Sequence, residues 1–411
     1  MPTIDSADPL VGDVASYPVT DRILDYYASG SAIRKMFEEG LRLKEIHGAD
    51  LVADMSIGNP AFPPPGRFSS ALRDEAAKPG PHAYMPNAGY PQVREKVAEQ
   101  LNRRGYFDGI SAEHIVMTTG AAGALNVLLA ALLEPEDEVI IPKPYFVEYR
   151  FYVELHGGVV RTVDCRTDFE IDLEEIEWAI TPKTRALIVN SPNNPTGRVY
   201  RQETLERLAK LLLRIERETG QRIFLVSDEP YRELIFGSQR FFSPATVYPH
   251  SFMCYSWSKE FSIPGERIGY LAVNPRMPVS DWNVLMGSLS MCNRILGFIN
   301  APALMQRAIG ESLDAKLDLE HYRAKRTVLC DCLEDAGYDF TRPEGAFYVF
   351  PRTPEPERDF VDRAKRHLLL VVPGSAFGMP GYFRLCYATS DATVELACRK
   401  LVEIKREIDE S

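Results

Sequence analysis

The sequence predicts an α/β protein: a large domain on a mostly parallel sheet with helices on both faces, and a smaller α+β domain. Three observations predict it. Between about residues 70 and 275, short apolar runs alternate with helical stretches. Those runs are continuous, as strands buried on both faces are. The length is the third: at roughly 150 residues per domain, 411 residues make two or three domains or one large α/β unit.

In chain order, the first element is a helix after Ser31, IRKMFEEGLRLKEIHG, with Ile33, Met36, Phe37 and Leu41 at helix spacing. LVADMSIGNPAFPPPG then reads as a short apolar strand broken by Gly58, Pro60 and three further prolines, a plausible boundary between a small N-terminal element and a larger domain. Strand-like runs follow at Ile115 to Thr118, Glu138 to Pro142, Val159 to Val163, Ala186 to Asn190, Ile223 to Asp228, Phe252 to Ser256 and Gly269 to Val273. After residue 300 a long helical region is expected to reach about Ala336. GAFYVFP, LLLVVPG and YFRLCYA read as strands of a second layer, closed by the helix TVELACRKLVEIKRE. The large domain is therefore expected over 60–305, and the small one over 1–59 and 306–411, built from both chain ends.

Composition bounds the function. Apolar residues make up 45% and charged residues 26%, enough for a core without disulfides or metals. The net charge is 47 − 58 = −11, and no basic patch stands out, which argues against nucleic acid and anionic membrane as partners. The longest apolar stretch, Ala124 to Leu133, is too short to span a bilayer. The acidic start MPTIDSADPLVGD is unlike a secretory signal, so a cytoplasmic protein is expected. Seven cysteines without C-x-x-C, and histidines without H-x-x-x-H or H-E-x-x-H spacing, suggest no metal site.

The chemistry gathers where the strands end, the edge at which open parallel sheets bind ligands. Ala186 to Asn190 runs into SPNNPTG, Ser191 to Gly197. Ile223 to Asp228 is followed by Glu229, Pro230 and Tyr231. Phe252 to Ser256 runs into SWSK, ending at Lys259, with Arg267 eight residues on. A lysine can form a Schiff base with an aldehyde. A buried carboxylate can keep a ring nitrogen protonated, making the ring an electron sink. Asparagine and tyrosine can hydrogen-bond a phenolic oxygen, and hydroxyls with an arginine can cradle a phosphate. Together these are the needs of pyridoxal phosphate.

NSPNNPTG, SDEPY and SWSK followed by GERIGY, in that order, resemble the class I/II aminotransferases of pyridoxal-phosphate fold type I, the aspartate aminotransferase superfamily. The resemblance runs from about Ser31 to the C-terminal helix. It implies that Lys259 is the Schiff-base lysine, Asp228 the carboxylate under the ring nitrogen, and Tyr231 and Asn194 the partners of the 3′-oxygen. Ser256, Ser258 and Arg267 match phosphate-side positions. In TTGAAGAL, the backbone N–H groups of Ala121 and Ala122 match those that meet phosphate at a helix N-terminus. Phe146, in KPYFVEY, matches the ring-stacking aromatic. Tyr84, in YMPNAGY, matches a tyrosine that reaches the neighbouring subunit's phosphate, which implies a homodimer. Gly58 and Arg384, in SIGNP and YFRLCYATS, match the substrate-carboxylate positions, with Asn194 beside them; a guanidinium suits that bidentate task. Lys259, Asp228 and Tyr231 would be the catalytic residues. The implied reaction moves an amino group from an L-amino acid to a 2-oxo acid in ping-pong fashion, with Lys259 carrying the α-proton.

Other readings exist. Thr119-Gly120-Ala121-Ala122-Gly123 and the Tyr255 to Lys259 spacing imitate a short-chain dehydrogenase, but the glycine turn comes too late in the chain and Tyr255 falls on a strand-like run. A C–S lyase or decarboxylase would share the cofactor residues. A DNA-binding regulator would need a basic domain ahead of Gly58, where the chain is short and acidic. By the same resemblance, Arg294, in SMCNRILGF, lies in a region that approaches the neighbour's site, where a second cation would suit an acidic substrate.

Overall fold

The apolar runs pair into one seven-stranded sheet in the computed structural model, which describes residues 18–29, 32–60, 62–79, 82–237 and 239–410. After a two-residue strand β1 (Ala53–Asp54), the sheet strands are β2 (Ile115–Thr118), β3 (Glu138–Pro142), β4 (Val159–Val163), β5 (Thr184–Asn190), β6 (Phe224–Asp228), β7 (Ser251–Ser256) and β8 (Gly269–Val273). Their order is β2-β8-β7-β6-β5-β3-β4. Neighbours from β4 to β7 run parallel, and β8 runs antiparallel to both β7 and β2. The continuous apolar runs are explained by burial on both faces: Val139, Ile140 and Ile141 are all buried. One face packs on the helices Gly120–Leu132 and Trp282–Ile295, the other on Gln202–Thr219. That last helix buries Leu205, Leu208, Leu212 and Ile215 and stops at Gly220, whose φ of 75° only glycine adopts easily.

The reversed strand β8 positions the site. Ser256 at the end of β7 pairs with Gly269 at the start of β8. The residues leading into β8, Arg267 included, therefore lie at the same edge as the loops leaving β5, β6 and β7.

A second core joins both chain ends. Ala53 and Met55 pack with Leu329, Tyr348, Phe360, Phe383 and Leu401. Strands β9 (Tyr348–Val349), β10 (Leu369–Leu370), β11 (Val372–Pro373) and β12 (Phe383–Cys386) complete it: β1 pairs with β10, and β12 lies antiparallel between β11 and β9.

Two expectations are corrected. The helical region after residue 300 is two helices, Ala303–Gly310 and Glu320–Asp335. The first packs on Gly66–Ala77 and Pro91–Arg103, the second on Asp391–Asp409, and the chain turns between two cores. Ala315 belongs to the sheet-side core, and Leu317 packs on the second. In the early helix, Ala32–His47, the buried positions are Met36, Gly40 and Leu43, while Leu41 is 54% exposed. Ile33 and Phe37 lie outside the described side chains, and the acidic start lies outside the described residues. Among the described residues, no helix is long and apolar enough to cross a membrane.

Candidate active site

The strand ends surround a cavity of roughly 240 Å³. Its wall includes Gly58, Ala121, Ala122, Phe146, Asn194, Asp228, Tyr231, Ser256, Ser258, Lys259, Arg267 and Arg384. These come from well-separated stretches of sequence, and the sheet edge gathers them.

Asn190, the last residue of β5, fixes the loop after it. Its Nδ2 donates to the Asp228 carbonyl at 2.9 Å, and its Oδ1 accepts from the Asn194 N–H at 2.7 Å. Asn194 is thereby aimed inward, where its Oδ1 accepts from Arg384 Nη1 at 3.0 Å.

Asp228 closes the cavity floor. Its Oδ2 accepts from Tyr149 Oη at 2.5 Å, while its buried Oδ1 has no partner among the described residues. Burial pushes the carboxyl up to about 7; the Tyr149 hydrogen bond opposes that shift and Glu229 adds to it. A carboxylate short of one partner in a dry site is what a protonated ring nitrogen would satisfy.

Lys259 sits on the short helix Trp257–Glu260, capped by Ser256 Oγ accepting from the Ser258 N–H at 3.1 Å. Its Nζ donates to the Gly58 carbonyl at 2.8 Å. Burial lowers its pKa to about 8, and the charges of Arg384 and Arg267 push the same way. Even near neutral pH a fraction of the amine is therefore unprotonated and nucleophilic.

The other end of the cavity is built for an anion. Arg267 donates to the carbonyls of Pro264 at 2.8 Å and Thr119 at 3.3 Å, so its guanidinium lies across the start of Gly120–Leu132. Gly120 has φ 80°, and a Cβ there would stand 2.9 Å from Arg267 Nη2. The N–H groups of that helix N-terminus, the guanidinium, Ser256 and Ser258 together could hold a phosphate.

Arg384 is 1% exposed. Besides Asn194 it donates to the Ser56 carbonyl at 2.5 Å, its Nε has no partner among the described residues, and it lies 4.5 Å from the ring centre of Tyr348. A buried guanidinium with neutral partners is suited to receive a carboxylate.

Two candidates stand apart. Tyr84 is 89% exposed and not on the cavity wall, and Arg294 lies exposed on the helix Trp282–Ile295. Conversely, the sequence reading missed Tyr149, Tyr152, Asn190 and Tyr348, which all line the cavity. Tyr149 stood in the same KPYFVEY segment as Phe146, one helical turn on. Its ring meets Phe146 edge-on at 5.6 Å.

A fold of this shape with a lysine, an orphaned carboxylate oxygen and an anion cradle at one sheet edge defines a cofactor-dependent enzyme of carbonyl and amine chemistry. Comparison with known proteins agrees. The family model "Aminotransferase class I and II" matches residues 51–401. The aspartate/prephenate aminotransferase of Thermus thermophilus is 36% identical over 87% of this chain and 91% of its own length. Aromatic-amino-acid aminotransferase 2 of Thermococcus litoralis is 30% identical over 92% of this chain and 96% of its own. Among solved structures, an aminotransferase from Eubacterium rectale superimposes with a TM-score of 0.90 at 33% identity, covering 95% of this chain and 99% of that one. The chain belongs to the class I and II aminotransferase family. It is a pyridoxal-phosphate-dependent aminotransferase, moving amino groups through a Schiff base by the ping-pong scheme typical of that family.

Proposed function

We propose that Lys259 bonds the cofactor covalently, with Asp228 at its ring nitrogen and Asn194 and Tyr231 at its phenolic oxygen. Phe146 lies against its face, and Ser256, Ser258, Arg267 and the N–H groups of Ala121 and Ala122 hold its phosphate. The orphaned Oδ1 of Asp228 carries this reading, because the rest of that carboxylate's hydrogen bonding is already met. When bound, the cofactor supplies an aldehyde for the amine and a protonated ring that draws off electrons. Arg384 holds the carboxylate of the incoming L-amino acid beside Gly58. Lys259 Nζ takes up the α-proton and returns it. The relatives named aspartate/prephenate aminotransferases make L-aspartate the first donor to assay and prephenate the first acceptor after 2-oxoglutarate. In a panel of amino donors with 2-oxoglutarate, the loaded enzyme is expected to convert L-aspartate to its 2-oxo acid. Failure with every donor would overturn the reading.

Arg384→Ala should raise KM for the amino acid on the order of 30- to 1,000-fold, since losing a buried charged partner costs about 2–4 kcal/mol. Cofactor affinity should hardly change. Steady-state kinetics beside a cofactor titration check both, and an unchanged KM and kcat would place the clamp elsewhere.

The active form is a cytoplasmic homodimer in this reading. Tyr84 is exposed and off the cavity wall, as a residue serving a partner's phosphate would be. Val284, Met291 and Ile295 are 64%, 50% and 69% exposed and recur on one face of the helix Trp282–Ile295, with Arg294 beside them. That apolar face is what a second copy would cover. All seven cysteines are free, as a reducing compartment keeps them. Sedimentation should give a dimer; a fully active monomer would refute it. The cofactor-binding unit accompanying this reading runs from about 60 to 315, and both chain ends form the second, as the two cores support.

A further inference from the structure

Tyr348 belongs to β9 in the second core, yet its side chain reaches the cavity wall. It meets three groups of the site there. Its Oη lies 2.9 Å from Tyr231 Oη. A Cβ added to Gly58 would fall 2.1 Å from the same Oη, so glycine alone leaves room for it. Its ring lies 4.5 Å from the Arg384 guanidinium. The strand register explains this last contact. Tyr348 pairs with Cys386, and Arg384 stands two residues before Cys386 on the same strand, a diagonal neighbour within reach of long side chains. Tyr348 is 2% exposed.

The geometry points to Tyr348 as a positioning residue with two separable parts: its ring seats the guanidinium that clamps the substrate carboxylate, and its hydroxyl donates to Tyr231 Oη. This rests on the reading that Tyr231 faces the phenolic oxygen of the cofactor. A phenol has one proton to give. If Tyr231 gives its own to the cofactor, the proton between the two tyrosines is that of Tyr348. Hydrogen bonds in a chain polarise one another, so Tyr348 makes Tyr231 the stronger donor. The more firmly Tyr231 holds negative charge on the phenolic oxygen, the less that oxygen retains a proton on the adjoining Nζ of Lys259. Deleting the Tyr348 hydroxyl should therefore raise the pH at which that proton leaves.

The test is a pH titration of the visible absorption band of the pyridoxal-phosphate-loaded protein, with KM measured alongside. Wild type, Tyr231→Phe, Tyr348→Phe and Tyr348→Leu are compared. Tyr348→Phe should shift the midpoint upward by a few tenths of a pH unit, less than Tyr231→Phe, because bond cooperativity is roughly 10–30% per bond. Its KM should stay within about twofold of wild type, since the ring remains. Tyr348→Leu should shift the midpoint the same way and raise KM by roughly 3- to 30-fold, the range of a cation–π contact. A Tyr348→Phe midpoint equal to wild type, with Tyr231→Phe displaced, would overturn the relay while leaving the cofactor reading intact. An undisplaced Tyr231→Phe would instead overturn the placement of Tyr231, and the relay with it. Absence of any visible band in wild type would overturn the cofactor reading itself. If Tyr348→Leu does not fold, the Tyr348→Phe titration decides alone.

Discussion

Lys259→Ala is expected to yield a protein that still binds pyridoxal phosphate and no longer transaminates. The contacts expected at the cofactor's other atoms, from Asp228, Asn194 and Arg267, do not pass through the lysine, so binding should survive. The proton carrier does not. A general acid–base contributes roughly 10²–10⁴-fold, and the lost covalent attachment adds to that. In the wild type, borohydride reduction should remove the visible band and add the cofactor's mass to the peptide containing Lys259. Near wild-type turnover by Lys259→Ala, or a label on another lysine, would refute the assignment.

Asp228→Ala should weaken cofactor binding by about 10²–10⁴-fold. Asp228 is the one acidic side chain among the described residues on the cavity wall. Removing it would leave a buried ring cation unpaired, which costs about 3–5 kcal/mol. Asp228→Asn gives a second measurement, on the protein free of cofactor. The carboxyl titrates at about 7 in the fold, above its unfolded value near 3.9. Between those values the folded chain holds a proton that the unfolded chain has released, so stability falls as pH rises from about 4 towards 7. Asparagine has nothing to titrate. The melting temperature of the Asp228→Asn protein, compared with wild type, should gain steadily across that window, and an unchanged difference would mean the carboxylate is better solvated than the cavity implies.

The site was legible because its strongest signals are local. NSPNNPTG, SDEPY and SWSK each sit within one strand end, and the period of the apolar runs places those ends at one edge. Arg384 was legible as a charge inside an apolar strand. The residues that stayed hidden depend on distant pairing. Tyr348 looks like any core aromatic in GAFYVF until β9 is laid beside β12. Tyr149 reads as helix packing until its hydroxyl is found on Asp228. Leu41 fits the helix repeat as well as Leu43 does, and only the position of β10 decides which face is covered. The helical region after residue 300 shows no interruption that periodicity could detect, since its two halves are each amphipathic and differ only in the core they serve.

Arg384 rests with its guanidinium already engaged by the Ser56 carbonyl and the Asn194 side chain. With Arg384 as the proposed clamp, an arriving carboxylate would trade places with neutral oxygens instead of filling a void, and its hold would be the difference between two sets of bonds. The same swap run backwards lets the oxo acid go. A catalyst that must discharge one carboxylate before admitting the next gains throughput from a grip of this moderate kind, because a guanidinium with nothing to return to would keep its first product.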